Sequence, residues 1–276
     1  MIRIGIIVGS TRPHRRTAVA AQWVAEVAAR HAAVAAGQAS FDVVDLAEHG
    51  LPLLDEPVPA MFGDYRHPHT RRWAGTIASL DGFVFVTPEY NRGMPAALKN
   101  AIDYLFAEWS NKAAGFVSHG VHGGTRAVEQ LRLSMTELQV ANVRTQVALS
   151  AFTDFELTGP TDPGVITPGP HQEETLVELL DEVISWSRAL RPLRADAPRR
   201  RSADAGRSGA RQLTSAWVAE SFSRAFAQRT CRRVSGWQRW ASASRAVHLR
   251  SGRVLVTARA PGRARAGRGP CRHQGG

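Results

Sequence analysis

The sequence predicts an α/β fold, a doubly wound five-stranded parallel sheet with helices on both faces, confined to the first 190 residues. Three observations point there. Short apolar runs rich in β-branched residues alternate with longer helical ones, the pattern of a parallel sheet buried on both sides. Charge divides the chain: residues 1–190 carry a net −6, whereas residues 191–276 carry 20 Arg, no Lys and three acids, a net +17. The +11 of the whole chain therefore describes the end of the sequence and not its folded part. Two domains follow, 1–190 folded and 191–276 a basic low-complexity tail whose apolar residues are too sparse to bury a core, so that disorder is expected.

The strands are read at Ile2–Val8, Phe41–Leu46, Gly82–Thr87, Ala114–Ser118 and Val143–Ser150. Each is short, apolar and bounded by turn residues. Between them, helical periodicity covers Thr17–Ala36, Thr70–Leu80, Pro95–Leu105 and Thr125–Gln139, and a last helix spans Gln172–Leu190. The proline-rich connection Ala47–His69 is expected to wrap the surface. The apolar stretch Ala18–Ala36 is interrupted by Gln22, Glu26, Arg30 and His31 and cannot span a bilayer. Met1 leads straight into a strand without a basic leader, so a cytoplasmic protein is expected, with no membrane partner. Both cysteines, Cys231 and Cys271, lie in the tail, which removes thiol chemistry from the front domain.

Three loops carry chemistry, and all follow strand carboxyl ends. In an open α/β sheet these ends form the ligand crevice, at the switch in strand order beside the first and third strands. The first loop, Gly9-Ser10-Thr11-Arg12-Pro13-His14-Arg15-Arg16-Thr17, combines hydroxyls, three arginines and a helix N-terminus, which suits a phosphate. It is neither a Walker A loop nor a G-x-G-x-x-G fingerprint. A solvated basic turn capped by Thr17 fits its composition equally well. The second, Thr87-Pro88-Glu89-Tyr90-Asn91-Arg92-Gly93-Met94-Pro95, forms a rigid ledge on which a flat, partly polar ring can rest. An ordinary turn with Tyr90 as a surface aromatic is the alternative. The third, Ser118-His119-Gly120-Val121-His122-Gly123-Gly124-Thr125, lets the backbone approach a ligand without Cβ interference, or is simply a flexible turn.

Together, Gly-Ser-x-Arg after the first strand, Pro-Glu-Tyr-Asn with Leu-Lys-Asn-Ala-Ile-Asp after the third, and Ser-x-Gly-x-x-Gly-Gly after the fourth resemble the NADPH-dependent FMN reductase family, over residues 1–190. That resemblance implies a flavodoxin-like domain of strand order 2-1-3-4-5 that binds FMN. It implies hydride transfer from NADPH or NADH to the flavin, and electrons passed to a small acceptor: flavin, quinone, azo compound or metal oxyanion. It also implies a homodimer or homotetramer, with Ala96, Leu98, Ile102, Leu105 and Phe106 forming core and dimer surface. Carried over by position, Ser10 and Arg12 match the family's phosphate loop, and Arg15, Arg16 and Thr17 follow in it. Pro88, Glu89, Tyr90 and Asn91 match the segment lining the isoalloxazine ring; Ser118, Gly120, Gly123 and Gly124 match the loop at its other edge. Arg15 stands where the family often has serine, which puts more charge and fewer hydroxyls at the phosphate, and His119 stands where it commonly has an aromatic. No protein side chain is required as a general acid or base, because the flavin carries the chemistry.

His67-Pro68-His69 and His119…His122 lack a carboxylate or cysteine at a metal-binding spacing, so no metal is expected. Asp55-Glu56 reads as loop and Glu173-Glu174 as a helix start. The competing functions are a flavodoxin-type electron carrier and a nucleic-acid-binding protein acting through the tail. A carrier presents acid around its flavin, whereas Arg12, Arg15, Arg16, Arg92 and Arg126 are expected to flank this cleft; for the tail, only weak, non-specific nucleic-acid binding is expected.

Overall fold

The computed structural model describes residues 1–157, 159 and 161–195. The basic segment from residue 196 onward, with the disorder expected of it, lies outside the described residues. In chain order the elements are β1 (Ile2–Val8), α1 (Arg16–Ala29), α2 (Ala32–Ala35), β2 (Ala39–Asp45), α3 (Leu46–His49), α4 (Pro68–Ala78), β3 (Gly82–Pro88), α5 (Ala96–Asp103), β4 (Ala113–Gly120), α6 (Thr125–Glu137), β5 (Ala141–Ser150), β6 (Phe155–Glu156), β7 (Val165–Ile166) and α7 (Pro170–Ala195). The first five strands form one parallel sheet of order β2-β1-β3-β4-β5, the doubly wound arrangement the sequence predicts. β6 and β7 make a separate antiparallel ribbon that the sequence pattern did not disclose.

Alternation along each strand sorts the core into two layers. Ile7, Phe83, Phe85 and Phe116 point to one face, where they meet Trp73 of α4, Ile102 of α5, Leu131 of α6 and the buried Trp109. Ile4, Ile6, Val84, Val86 and Val117 point to the other and meet Val24 of α1 and Leu179 and Val183 of α7. The central strand β3 is buried along its whole length. Such a strand reads as a continuous apolar run because neither face meets water.

One helix departs from expectation. The run Thr17–Ala36 is not continuous: α1 ends at Ala29, and His31 takes an extended backbone, φ −67° and ψ 138°. Its Nδ1 accepts the Ala33 N–H at 3.2 Å, and its Nε2 lies 3.3 Å from Asp181 Oδ1 on α7. A side-chain cap anchored by a tertiary contact thus overrides alanine-rich helical propensity. At the end of the described residues α7 runs beyond Leu190 to Ala195.

The arginines of its last turns fasten the strand starts. Arg188 donates to Gln38 Oε1 at 3.1 Å, just before β2. Arg191 donates to the Met1 carbonyl at 3.2 Å, before β1. Arg194 donates to the Asn111 carbonyl at 2.8 Å and pairs with Asp81, before β4 and β3. The long Ala47–His69 connection is pinned in turn by α5 and its end. Asn100 bonds Leu54 N and the Pro52 carbonyl, and the Tyr104 hydroxyl donates to Asp55 at 2.9 Å. No helix among the described residues is long and apolar enough to cross a membrane.

Candidate functional site

The three sequence-marked loops converge beyond the carboxyl ends of β1, β3 and β4. They line one cleft with Arg12, Arg15, Arg16, Pro88, Glu89, Tyr90, His119 and Gly120. Two other depressions are of similar size, so the lining and not the volume singles this one out.

At one end of the cleft α1 begins. The residue before it, Arg15, is extended and its side chain caps nothing, and the first turn holds no acid. The helix therefore offers an uncancelled positive terminus. Arg15 pairs with Asp45, whose other oxygen accepts the Ala47 N–H. Arg16 lines the cleft beside Arg15. The Nε atoms of Arg15 and Arg16 are both buried without a hydrogen-bond partner. Buried guanidinium donors left unmatched by protein are what an external anion would satisfy. The residues here thus fit a phosphate group.

Ser10 and Thr17 stand below this surface, both buried. Ser10 Oγ lies 2.9 Å from the Tyr90 hydroxyl, joining the first loop to the second. Thr17 Oγ1 lies 2.9 Å from His119 Nε2, joining the first to the third. Burial pushes the His119 pKa down to about 4, with the nearby Arg16 charge adding to the effect. The ring is therefore neutral at pH 7, and the cleft's cationic character comes from arginine.

The second loop is a tight hairpin. Tyr90 and Gly93 exchange backbone hydrogen bonds of 2.9 and 3.0 Å, with Asn91 and Arg92 both at positive φ, 48° and 68°. This is the type I′ geometry that favours asparagine at its first corner. Asn91 and Arg92 are exposed at the tip and do not line the cleft. The expected flank of five arginines is accordingly reduced. Arg92 lies outside, Arg126 is paired with Glu89, and Arg15 with Asp45.

In the third loop Ser118 is buried and donates to the Gly123 carbonyl at 2.6 Å, so its hydroxyl shapes the loop from within. Gly124 is the N-cap of α6 at φ 73°, and a Cβ there would lie 2.8 Å from the His119 carbonyl. Only glycine meets both conditions. Gly120, which lines the cleft, has its nearest would-be Cβ contacts at 3.4 Å.

Sequence reasoning did not mark His14, Val121, Ala151 or Asp162 as cleft residues. Val121 adjoins the marked glycines, and Ala151 follows the end of β5, a carboxyl-end position that could have flagged it. Asp162 comes from the β6–β7 connection, which carries no pattern of its own. His67 and His69 stack at 5.2 Å and His69 meets Asp55 at 3.0 Å. Among the described residues no group of three or more ligating side chains is placed to hold a metal.

Comparison with known proteins bears on the family and the fold. An NAD(P)H-dependent FMN reductase of Schizosaccharomyces pombe is 40% identical over 165 residues, 59% of this chain and 80% of that protein. A quinone reductase of Pseudomonas putida is 33% identical over 145 residues, 50% of this chain and 71% of that protein. The solved flavoenzyme NAD(P)H:(acceptor) oxidoreductase of Paracoccus denitrificans superposes with a TM-score of 0.52 at 21% identity, covering 68% of this chain and 98% of that one, which bears on the fold alone. The model of the NADPH-dependent FMN reductase family matches residues 2–154, more than half of the sequence, and the chain belongs to that family.

Proposed function

We propose that the cleft binds FMN and that the protein is an oxidoreductase using NAD(P)H to reduce a small acceptor, whether a quinone, an azo compound, free flavin or a metal oxyanion. One observation carries the reading. The uncapped start of α1 and the unpartnered guanidinium nitrogens of Arg15 and Arg16 share a cleft with the Pro88–Tyr90 ledge, so one cleft offers places for both an anionic group and a flat ring. FMN, when bound, supplies the two-electron chemistry.

The chain's own residues bind and orient. Arg12 and Arg16 hold the phosphate, with backbone N–H groups of the first turn of α1. Ser10 and Thr17 lock the loop from beneath through Tyr90 and His119. The backbone of 88–90 and of Gly120 and its glycine neighbours closes on the ring, and Asn91 and Ser118 contribute by fixing those turns. The catalytic unit is a homodimer or homotetramer. Leu53, Met61 and Phe62, exposed on the pinned connection between α3 and α4, offer an apolar surface for a second copy.

The test is anaerobic spectroscopy of the full chain, reconstituted with FMN and desalted. Retained flavin absorbance that bleaches within seconds of adding NADPH supports the reading. A flavin that stays bound but needs a separate reductase would make the protein a carrier, and failure to retain flavin would remove the cofactor assignment.

A further inference from the structure

Two helices, α1 and α6, start at the cleft, and they are treated differently. α1 is left open. α6 has Gly124 as its N-cap, which has no side chain to offer, and its first turn holds no acid. The missing cap comes from another strand. Glu89, directly after β3, accepts the Arg126 N–H through Oε2 at 3.1 Å, and Oε1 pairs with the Arg126 guanidinium. Glu89 N donates to the His119 carbonyl at 3.0 Å, extending the β3–β4 ladder by one residue. One turn further along α6, Gln130 donates to the Arg92 carbonyl at 3.1 Å and holds the hairpin tip. The second and third loops are thus one body, joined through the first two turns of α6.

We propose that Glu89 is a positioning residue. Its carboxylate faces α6 and not the ligand, it sets the two ring-side loops against each other, and it withdraws Arg126 and the α6 terminus from anion binding. The cleft then has a single anionic end, at α1, and a neutral end for the ring. A carboxylate on a helix N-terminus cancels the partial positive charge that would otherwise attract a second anion. This inference rests on the FMN reading and assigns a role within it.

The experiment measures FMN and riboflavin dissociation constants by flavin fluorescence quenching on the full chain, with visible circular dichroism at saturating flavin, for wild type, Glu89→Gln, Arg126→Gln and Arg16→Gln. Glu89→Gln is expected to weaken FMN and riboflavin alike, by about tenfold, and to alter the circular dichroism of the bound ring. Arg126→Gln is expected to do the same to a smaller degree, and it carries the test if Glu89→Gln does not fold. Arg16→Gln, acting at the phosphate, weakens FMN alone and leaves the ring signal unchanged. A Glu89→Gln loss confined to FMN would show that the carboxylate supports the phosphate site and not the ring-side loops, and would overturn the inference. Unchanged affinities and spectrum would reduce Glu89 to a helix cap and overturn it as well. If wild type binds neither flavin, the cofactor reading falls and takes this inference with it; if wild type binds both and Glu89→Gln matches it, this inference alone falls.

Discussion

Thr17 Oγ1 and His119 Nε2 meet at 2.9 Å in the buried floor of the cleft, tying the first turn of α1 to the end of β4. The pair has a pH signature. The folded-state pKa of His119, about 4, lies below its ordinary 6.5, so between these values the unfolded chain binds the extra proton. Stability therefore falls as pH drops from 6.5 to 4, by about 3 kcal/mol from this group. Glu and Asp titrations overlap the window, so the readout is the difference from His119→Gln. Urea unfolding of the apoprotein across pH 4–7 should show a flatter profile in the variant; parallel profiles would remove His119 as the cause.

Arg15 and Arg16 are neighbours with separate tasks. Arg15→Gln breaks the pair with Asp45 and removes one of the two unmatched Nε donors, so it is expected to destabilise by about 1–3 kcal/mol and to lower the preference for FMN over riboflavin only in part. Arg16→Gln, whose Nε has no hydrogen-bond partner to lose, is expected to keep the melting temperature within a degree or two and to erase most of that preference. Melting curves beside two flavin titrations separate them, and an exchange of the two phenotypes would refute the assignment.

Gly124→Ala is expected to cost about 2–4 kcal/mol, because a Cβ at φ 73° is strained and meets the His119 backbone at 2.8 and 2.9 Å. Gly120→Ala, with nearest contacts of 3.4 Å, should fold normally. Chemical denaturation of both variants is the check; equal stabilities would show that the third loop yields.

Lys112 is buried at the opposite end of the sheet, its Nζ donating to the Ile77 carbonyl at 2.6 Å. Burial first, then Arg194, pushes its pKa down from 10.5 to about 7. A buried ammonium is costly to desolvate, so Lys112→Met is expected to stabilise by about 2 kcal/mol at pH 6. Between pH 7 and 10.5 the unfolded wild type holds the proton that the folded protein has lost, so wild-type stability gains with pH and the variant's advantage shrinks. Thermal melts at pH 6 and pH 9.5 test the sign; a variant less stable at both would show that the lost hydrogen bond outweighs the relief of burial.

Sheet order came from the motif resemblance, whereas strand positions were legible because β1 and β3 are apolar on both faces, which follows from residue type alone. The break at His31 was not, since it depends on Asp181, 150 residues away. Within the cleft, local sequence marked the loops but not the direction of their side chains. Ser10 and Ser118 also make contacts that no local pattern announces, with the Tyr90 hydroxyl and the Gly123 carbonyl. Asn91 takes a φ of 48° at the hairpin tip, a turn position that the loop sequence alone did not mark. Glu89 was visible as part of a motif, but its partner on α6 was not. Asp162 reaches the cleft through tertiary packing of a connection with no periodicity to read.

The arginines at 188, 191 and 194 recur every third residue, so each is turned about 60° from the one before. They open like the ribs of a fan across the starts of β2, β1, β3 and β4. Helical phase thereby becomes a second record of strand order, kept at the end of the domain opposite the cleft. Its integrity depends on counting: one residue inserted between 188 and 191 would swing both later arginines by about 100°. The spacing along this last helix is thus under a geometric constraint that the chemistry of its side chains alone would not reveal.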